Sequence, residues 1–303
     1  MAQDPRALLA KADKQASSAR GGFSLFGGKQ DKLEIAADLY TQAANAFRVQ
    51  KLGREAGQTL EKAAAIQQEI NEPDDAANSF VEAYKAYRKD DPSSAARVLE
   101  KAIQHYTLRG NFRRAATHQQ NLAELLELEI GDIPKAVAAY EIAGDWFQSD
   151  NAEALANKVF LKVADLAALE GMYPKAIERY EGVARSSAGN NLMKWSMKDY
   201  FLKAGICHLA SRDKIAFKKA LDSYVELDPS FPSMREFQLL NDMLEADDGG
   251  DAEAFADKIF LYDQMSKLDK WKTTMLLRVK SSTTAPKPPL LGCIEEDDDD
   301  GLA

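Results

Sequence analysis

The chain is poor in the residues that most chemistry requires. Its 303 residues include two cysteines, Cys207 and Cys293, too few for a disulfide scaffold, so a reducing compartment is expected. The three histidines, His105, His118 and His208, have no metal-ligand spacing with those cysteines. No metal or other cofactor is therefore expected. No apolar run approaches the roughly 18 residues of a membrane-spanning helix. The opening stretch, Met1 to Lys14, is charged from the outset and lacks the apolar core of a secretory signal. These absences predict a cytoplasmic protein whose membrane contact, if any, is peripheral. Period-2 alternation closed by hairpin turns is missing as well, which argues against a sheet fold. Basic excess is also lacking: 39 Lys+Arg against 48 Asp+Glu give a net charge of −9. A net acidic body argues against nucleic acid as a partner. Six of the acids stand in one run, Glu295, Glu296 and Asp297 to Asp300, and the chain without it carries −3.

Two stretches imitate ligand loops and fail on inspection. Gly22 to Lys29 lacks the glycine of a phosphate-binding loop where Phe23 stands, and its hydroxyl where Gln30 stands. Asp247 to Asp251 lacks the ligand ladder and closing glutamate of a calcium loop. With no catalytic constellation left, an enzyme is not expected.

What is present is alanine, 48 copies, arranged in a repeat. Ala, then a ring or Leu four residues on, then Ala or Val three further, recurs as Ala36–Tyr40–Ala43, Ala56–Leu60–Ala63, Ala76–Phe80–Ala83, Ala95–Leu99–Ala102 and Ala136–Tyr140–Ala143. Ala156–Phe160–Val163 and Ala176–Tyr180–Val183 follow, with looser copies at Met197–Phe201–Ala204 and Phe217–Leu221–Tyr224. Offsets of four and seven fall on one side of an α-helix, so each copy is an apolar stripe. Small alanines beside a ring let neighbouring helices approach closely. Turn signals at Asn71-Glu72-Pro73, Asp91-Pro92, Gly110-Asn111, Gly131-Asp132 and Gly171-Met172 fall between copies. The pattern predicts an all-α fold: a right-handed, tetratricopeptide-like solenoid of antiparallel helix pairs, with units longer than the 34 residues of that repeat. The solenoid is expected over 1–230, a C-terminal helical bundle over 231–280, and a disordered Pro-rich, acidic tail over 281–303. A solenoid without a catalytic cleft reads as an interaction protein.

Three features indicate what it contacts. The loop at 20–30 holds Phe23, Leu25 and Phe26 between glycine pairs, so these groups either plug the local core or insert into a membrane or partner. Basic stretches free of acids recur at every second helix. Arg113 and Arg114 stand in the first, Lys158 and Lys162 in the second; Lys194, Lys198 and Lys203 in the third have only Asp199 beside them. Alternate helices of a two-layer solenoid share a face, so a basic band and a long acidic partner are expected. From Asp242 to Asp257 there are seven acids and no base, giving the far end the opposite sign. A co-chaperone module for acidic peptide tails is the alternative; it would need a compact clamp, whereas these cations are spread over several units.

The sequence resembles the soluble NSF attachment proteins. The likeness rests on Phe23-Ser24-Leu25-Phe26-Gly27-Gly28, on Lys198 to Ala204 with Cys207-His208, and on Thr273 to Lys280, and it spans residues 5–280. The divergent body and acidic extension look most like the gamma member. The resemblance implies an adaptor that wraps the assembled SNARE four-helix bundle and recruits and stimulates the hexameric ATPase NSF for bundle disassembly in vesicular and ER–Golgi transport. It implies membrane attachment through Phe23, Leu25 and Phe26, and SNARE contact through Lys158, Lys194 and Lys198. NSF contact is implied for Glu245, Asp247, Asp248 and the penultimate Leu302. A free monomer, with several copies per SNARE complex on ER, Golgi and vesicle membranes, is the corresponding expectation. One lysine of the family pattern is Thr117 here, with Arg113 and Arg114 close by in sequence.

Overall fold

A computed structural model describes residues 4–21, 28–189 and 193–283 of the chain. Helices account for nearly all of these residues, and no strand occurs among them. The helices are α1 (Pro5–Gly21), α2 (Gly28–Val49), α3 (Gly53–Glu69), α4 (Pro73–Tyr87), α5 (Pro92–Leu108), α6 (Phe112–Leu125) and α7 (Ile133–Ser149). They continue as α8 (Glu153–Leu169), α9 (Tyr173–Ser187), α10 (Lys194–Ser211), α11 (Lys214–Leu227), α12 (Arg235–Gly249), α13 (Ala252–Met265) and α14 (Lys270–Thr283). Two compact units result, Met1–Ser186 and Ser187–Ala303.

The helix lengths follow from the turns. At the α5–α6 turn, Gly110 at φ 69° is left-handed, its N–H bonded to Thr107 O and the next N–H, that of Asn111, to Tyr106 O. This paired closure satisfies the last carbonyls of a helix, and glycine adopts it without Cβ strain. Gly131 and Gly171 are left-handed too. Pro73 and Pro92 start α4 and α5, where a missing N–H costs nothing. Asp91, Asp132 and Asp213 each cap the following helix by accepting an N–H from the residue three on. Lys51, Asn71, Asn151 and Arg212 take the same left-handed conformation without being glycine. The turn cues missed Lys51 and Arg212, whose residue types do not favour this backbone state, and Asn151, whose residue type does.

The stripes form the core. All nine copies, loose ones included, are buried at all three positions. The α6 stripe has Ala115 and Leu122 but places Gln119, also buried, where a ring stands elsewhere. Close packing shows at Gly57, where a Cβ would come within 2.5 Å of the Tyr87 ring.

In the first unit, several ion pairs join helices that are two apart in the chain. Lys62 of α3 meets Asp13 of α1 at 2.9 Å, and Arg48 of α2 meets Glu82 of α4 at 2.9 Å. Arg97 of α5 grips Glu61 of α3 through two nitrogens, both at 2.7 Å. Arg179 of α9 meets Glu141 of α7 at 2.8 Å. Helices two apart therefore lie side by side, as a two-layer solenoid requires. The fold is an α-solenoid of antiparallel helix pairs. In the second unit, Phe201 stacks on Tyr224 with centroids 4.5 Å apart, and Phe231 closes on both.

Candidate partner-binding surface

The predicted basic residues of the first unit lie on α6 and α8. Arg113 and Arg114 open α6, and Lys158 and Lys162 stand one turn apart on α8. Two links hold these helices parallel. Arg113 pairs with Asp150 just before α8, and Lys162 Nζ reaches Glu127 Oε1 at 2.6 Å, beyond the end of α6. Glu127 sits in the π-helical segment Leu126–Ile130, where one turn of wider helix precedes Gly131.

Lys162 belongs to a recurring arrangement. The Tyr140 hydroxyl donates to Glu127 Oε2 at 2.9 Å, so Glu127 joins a core tyrosine to a surface lysine. Burial first, and then the Glu127 bond, push the Tyr140 pKa well above the usual phenol range, so it remains a donor. Tyr40–Asp13–Lys62 and Tyr87–Glu61–Arg97 repeat the arrangement in the first unit. Tyr262–Glu236–Lys198 repeats it in the second, with bonds of 3.3 and 3.1 Å. A cation in such a linkage is partly neutralised and fixed in place, so it contributes less to a long-range field than a free one.

Other predicted cations are anchored in different ways. Arg114 lies 4.4 Å over the Tyr106 ring and donates to Asn78. Lys194 is 3.7 Å from the nearly buried Asp228 carboxylate, and Lys203 lies 5.0 Å over the Trp271 ring. Lys158 differs from all of these. It is exposed and has no ion partner among the described residues. Thr117, at the position of the missing lysine, is exposed and its hydroxyl donates back to Arg113 O at 2.9 Å.

The family model for the soluble NSF attachment protein, SNAP, matches residues 3–284. The chain belongs to the SNAP family. A probable vesicular-fusion protein, sec17 homolog, of Schizosaccharomyces pombe is 53% identical, covering 93% of this chain and 97% of the relative. The alpha-soluble NSF attachment protein of Saccharomyces cerevisiae is 41% identical over 95% of this chain and 99% of its own length. The human alpha-soluble NSF attachment protein is 40% identical, with 91% and 93% covered. These relatives bear Sec17 and alpha names, which corrects the likeness to the gamma member. At 40–53% identity across nearly the whole chain the body is not divergent from those types, and the acidic extension was a poor guide to subtype.

The acidic end of this SNAP family member lies at the close of α12. Glu245 is exposed, with no ion partner among the described residues. Asp247 and Asp248 meet Lys214 of α11 at 2.7 and 2.8 Å. The Lys214 hydrogen bond is the main cause holding the Asp248 carboxyl below its usual range. Two acids at a helix C-terminus oppose the helix dipole, and Lys214 offsets that cost. Phe23, Leu25, Phe26 and Leu302 lie outside the described residues. Sequence reasoning missed Trp195, 78% exposed between Lys194 and Lys198 in the chain. Its position next to Lys194 was a readable cue, since exposed tryptophans often anchor interfaces.

Proposed function

We propose that this chain is an adaptor that binds assembled SNARE complexes on membranes and recruits and stimulates NSF to disassemble them in vesicular transport. Family membership across residues 3–284, with relatives named for vesicular fusion and NSF attachment, carries this reading. It acts by binding alone, with no catalytic residue or cofactor of its own, and holds its partners through surface charge. Lys158 is the principal SNARE contact, because its charge has no ion partner among the described residues; Arg113, Arg114, Lys162, Lys194, Lys198 and Lys203 extend the basic face. Glu245, Asp247 and Asp248 meet NSF, and Leu302 stimulates it. Phe23, Leu25 and Phe26 attach the protein peripherally to ER, Golgi and vesicle membranes. The free protein is a monomer, and several copies wrap one bundle. The architecture is a repeat solenoid over 1–230, a bundle over 231–280 and a tail beyond. The test is a pull-down of purified SNARE bundle and NSF in its ATP state. Retention of NSF only when this protein is present supports the reading, and no added retention refutes it.

A further inference from the structure

The pair α13 and α14 leaves an apolar groove open to solvent. Its volume is about 150 Å³, and Ile259, Leu268, Leu276 and Leu277 line it with Thr273 and Lys280. An engineered apolar cavity of about that size accepts a benzene ring. Leu277 is 59% exposed, and of the α13 side chains only Phe255 is fully buried. On α14 the charge has one sign, Lys270, Lys272, Arg278 and Lys280 with no acid, whereas α13 carries Glu253, Asp257 and Asp263 against Lys258, and Asp269 stands just before Lys270. Lys270 has no ion partner among the described residues, and Lys267 just before α14 is 79% exposed beyond its pairing with Asp263.

A sequence of matching character follows on the same chain. After Pro286, Pro288 and Pro289 come Leu290, Leu291, Gly292, Cys293 and Ile294, and then the six acids. We propose that Leu290 to Ile294 docks in the α13–α14 groove, antiparallel to α14, with the acidic run reaching Lys270 and Lys267. The tether permits it. From Thr283 back to Leu277 is about 9 Å along the helix, at about 1.5 Å per residue. The seven residues from Thr283 to Leu290 span up to about 23 Å when extended. The direction follows from the order of groups. Leu276 and Leu277 lie nearer the end where the tail leaves, and the cations at 267 and 270 lie at the far end. Anions there also meet the positive end of the α14 dipole. The groove and the tail thus shield each other until a partner displaces one of them, and this holds whether or not the adaptor reading does.

The full-length chain supplies its own probe, since Cys293 lies in the proposed insert and Cys207 is buried. In a Thr273→Cys variant, mild oxidation at low micromolar concentration should join position 273 to Cys293 within one molecule, read by mass spectrometry. A docked segment raises the local thiol concentration, so the rate should exceed that of an Ile215→Cys control, itself exposed, by about tenfold or more. Adding Leu290→Asp with Leu291→Asp should bring the rate down to the control level. Equal rates at 273 and 215, or no response to the aspartates, overturns the proposal. Links between molecules, rising with concentration, also overturn it and assign the groove to a second copy. Faster amide exchange in α13 and α14 of the aspartate variant, at unchanged far-UV circular dichroism, is the second expected result; identical exchange contradicts docking.

Discussion

Lys158 and Lys162 sit one turn apart on the same helix, yet removing them should have opposite consequences. Lys162 is 42% exposed, but the Glu127 side chain it meets at 2.6 Å is only 12% exposed. Truncating one partner of a buried ion pair costs about 3–5 kcal/mol, and an exposed pair contributes about 0–1 kcal/mol. The Glu127 pair lies between these limits, and Glu127 keeps its Tyr140 bond, so Lys162→Ala should cost about 2 kcal/mol. For a unit of this size, that lowers the melting temperature by about 4–8 °C. Lys158→Ala removes a surface group with no ion partner among the described residues and should stay within about 0.5 kcal/mol. Thermal and urea unfolding of both variants, with Glu127→Gln completing a double-mutant cycle on Lys162, gives the comparison. SNARE-bundle binding should fall for Lys158→Ala at unchanged stability. If Lys162→Ala melts with the parent, the linkage carries no folding energy and the division into structural and free cations fails.

Other outcomes follow from single sites. Lys51→Gly and Asn151→Gly relieve left-handed strain at φ 60° and 55°, and should each add up to about 1 kcal/mol in chemical denaturation; a loss at either would contradict the turn assignment. Gly57→Ala drives a methyl into the Tyr87 ring and should destabilise by about 1–3 kcal/mol; a neutral result would show that the ring moves freely. His118 has its pKa lowered from 6.5, by burial first and then by Arg114 and Lys85, and its Nδ1 is buried with no hydrogen-bond partner among the described residues. Its unfolded form binds the proton more tightly, so stability is full above pH 6.5 and falls as the pH drops toward the folded-state value. His118→Phe, measured by urea unfolding between pH 7 and pH 5, should flatten that slope. An unchanged slope would assign it to other groups.

The stripes were legible because their periodicity reports burial directly, and every stripe position is buried. Gln119 shows the limit: a polar residue in a core position carries no hydropathy signal. The left-handed turns at Lys51 and Arg212 carry no signal for a related reason, since the surrounding helices impose the backbone state that glycine or asparagine would favour; Asn151 is the readable exception. Counting picks out the basic residues, but their hydrogen-bonded partners are 35 to 37 residues away in the first unit, or on other helices in the second. Composition gives the cation, and only the packing says that Lys162 and Lys198 are tied to carboxylates largely shielded from solvent while Lys158 has no ion partner among the described residues.

The adaptor reading is tested most directly by the rate at which NSF disassembles purified SNARE complexes with the parent protein and with Lys158→Glu. Reversing this exposed charge should slow disassembly at least about tenfold, or about 1.4 kcal/mol, while the melting temperature stays within about 2 °C of the parent. An unchanged rate would contradict the account, as would a loss that tracks unfolding.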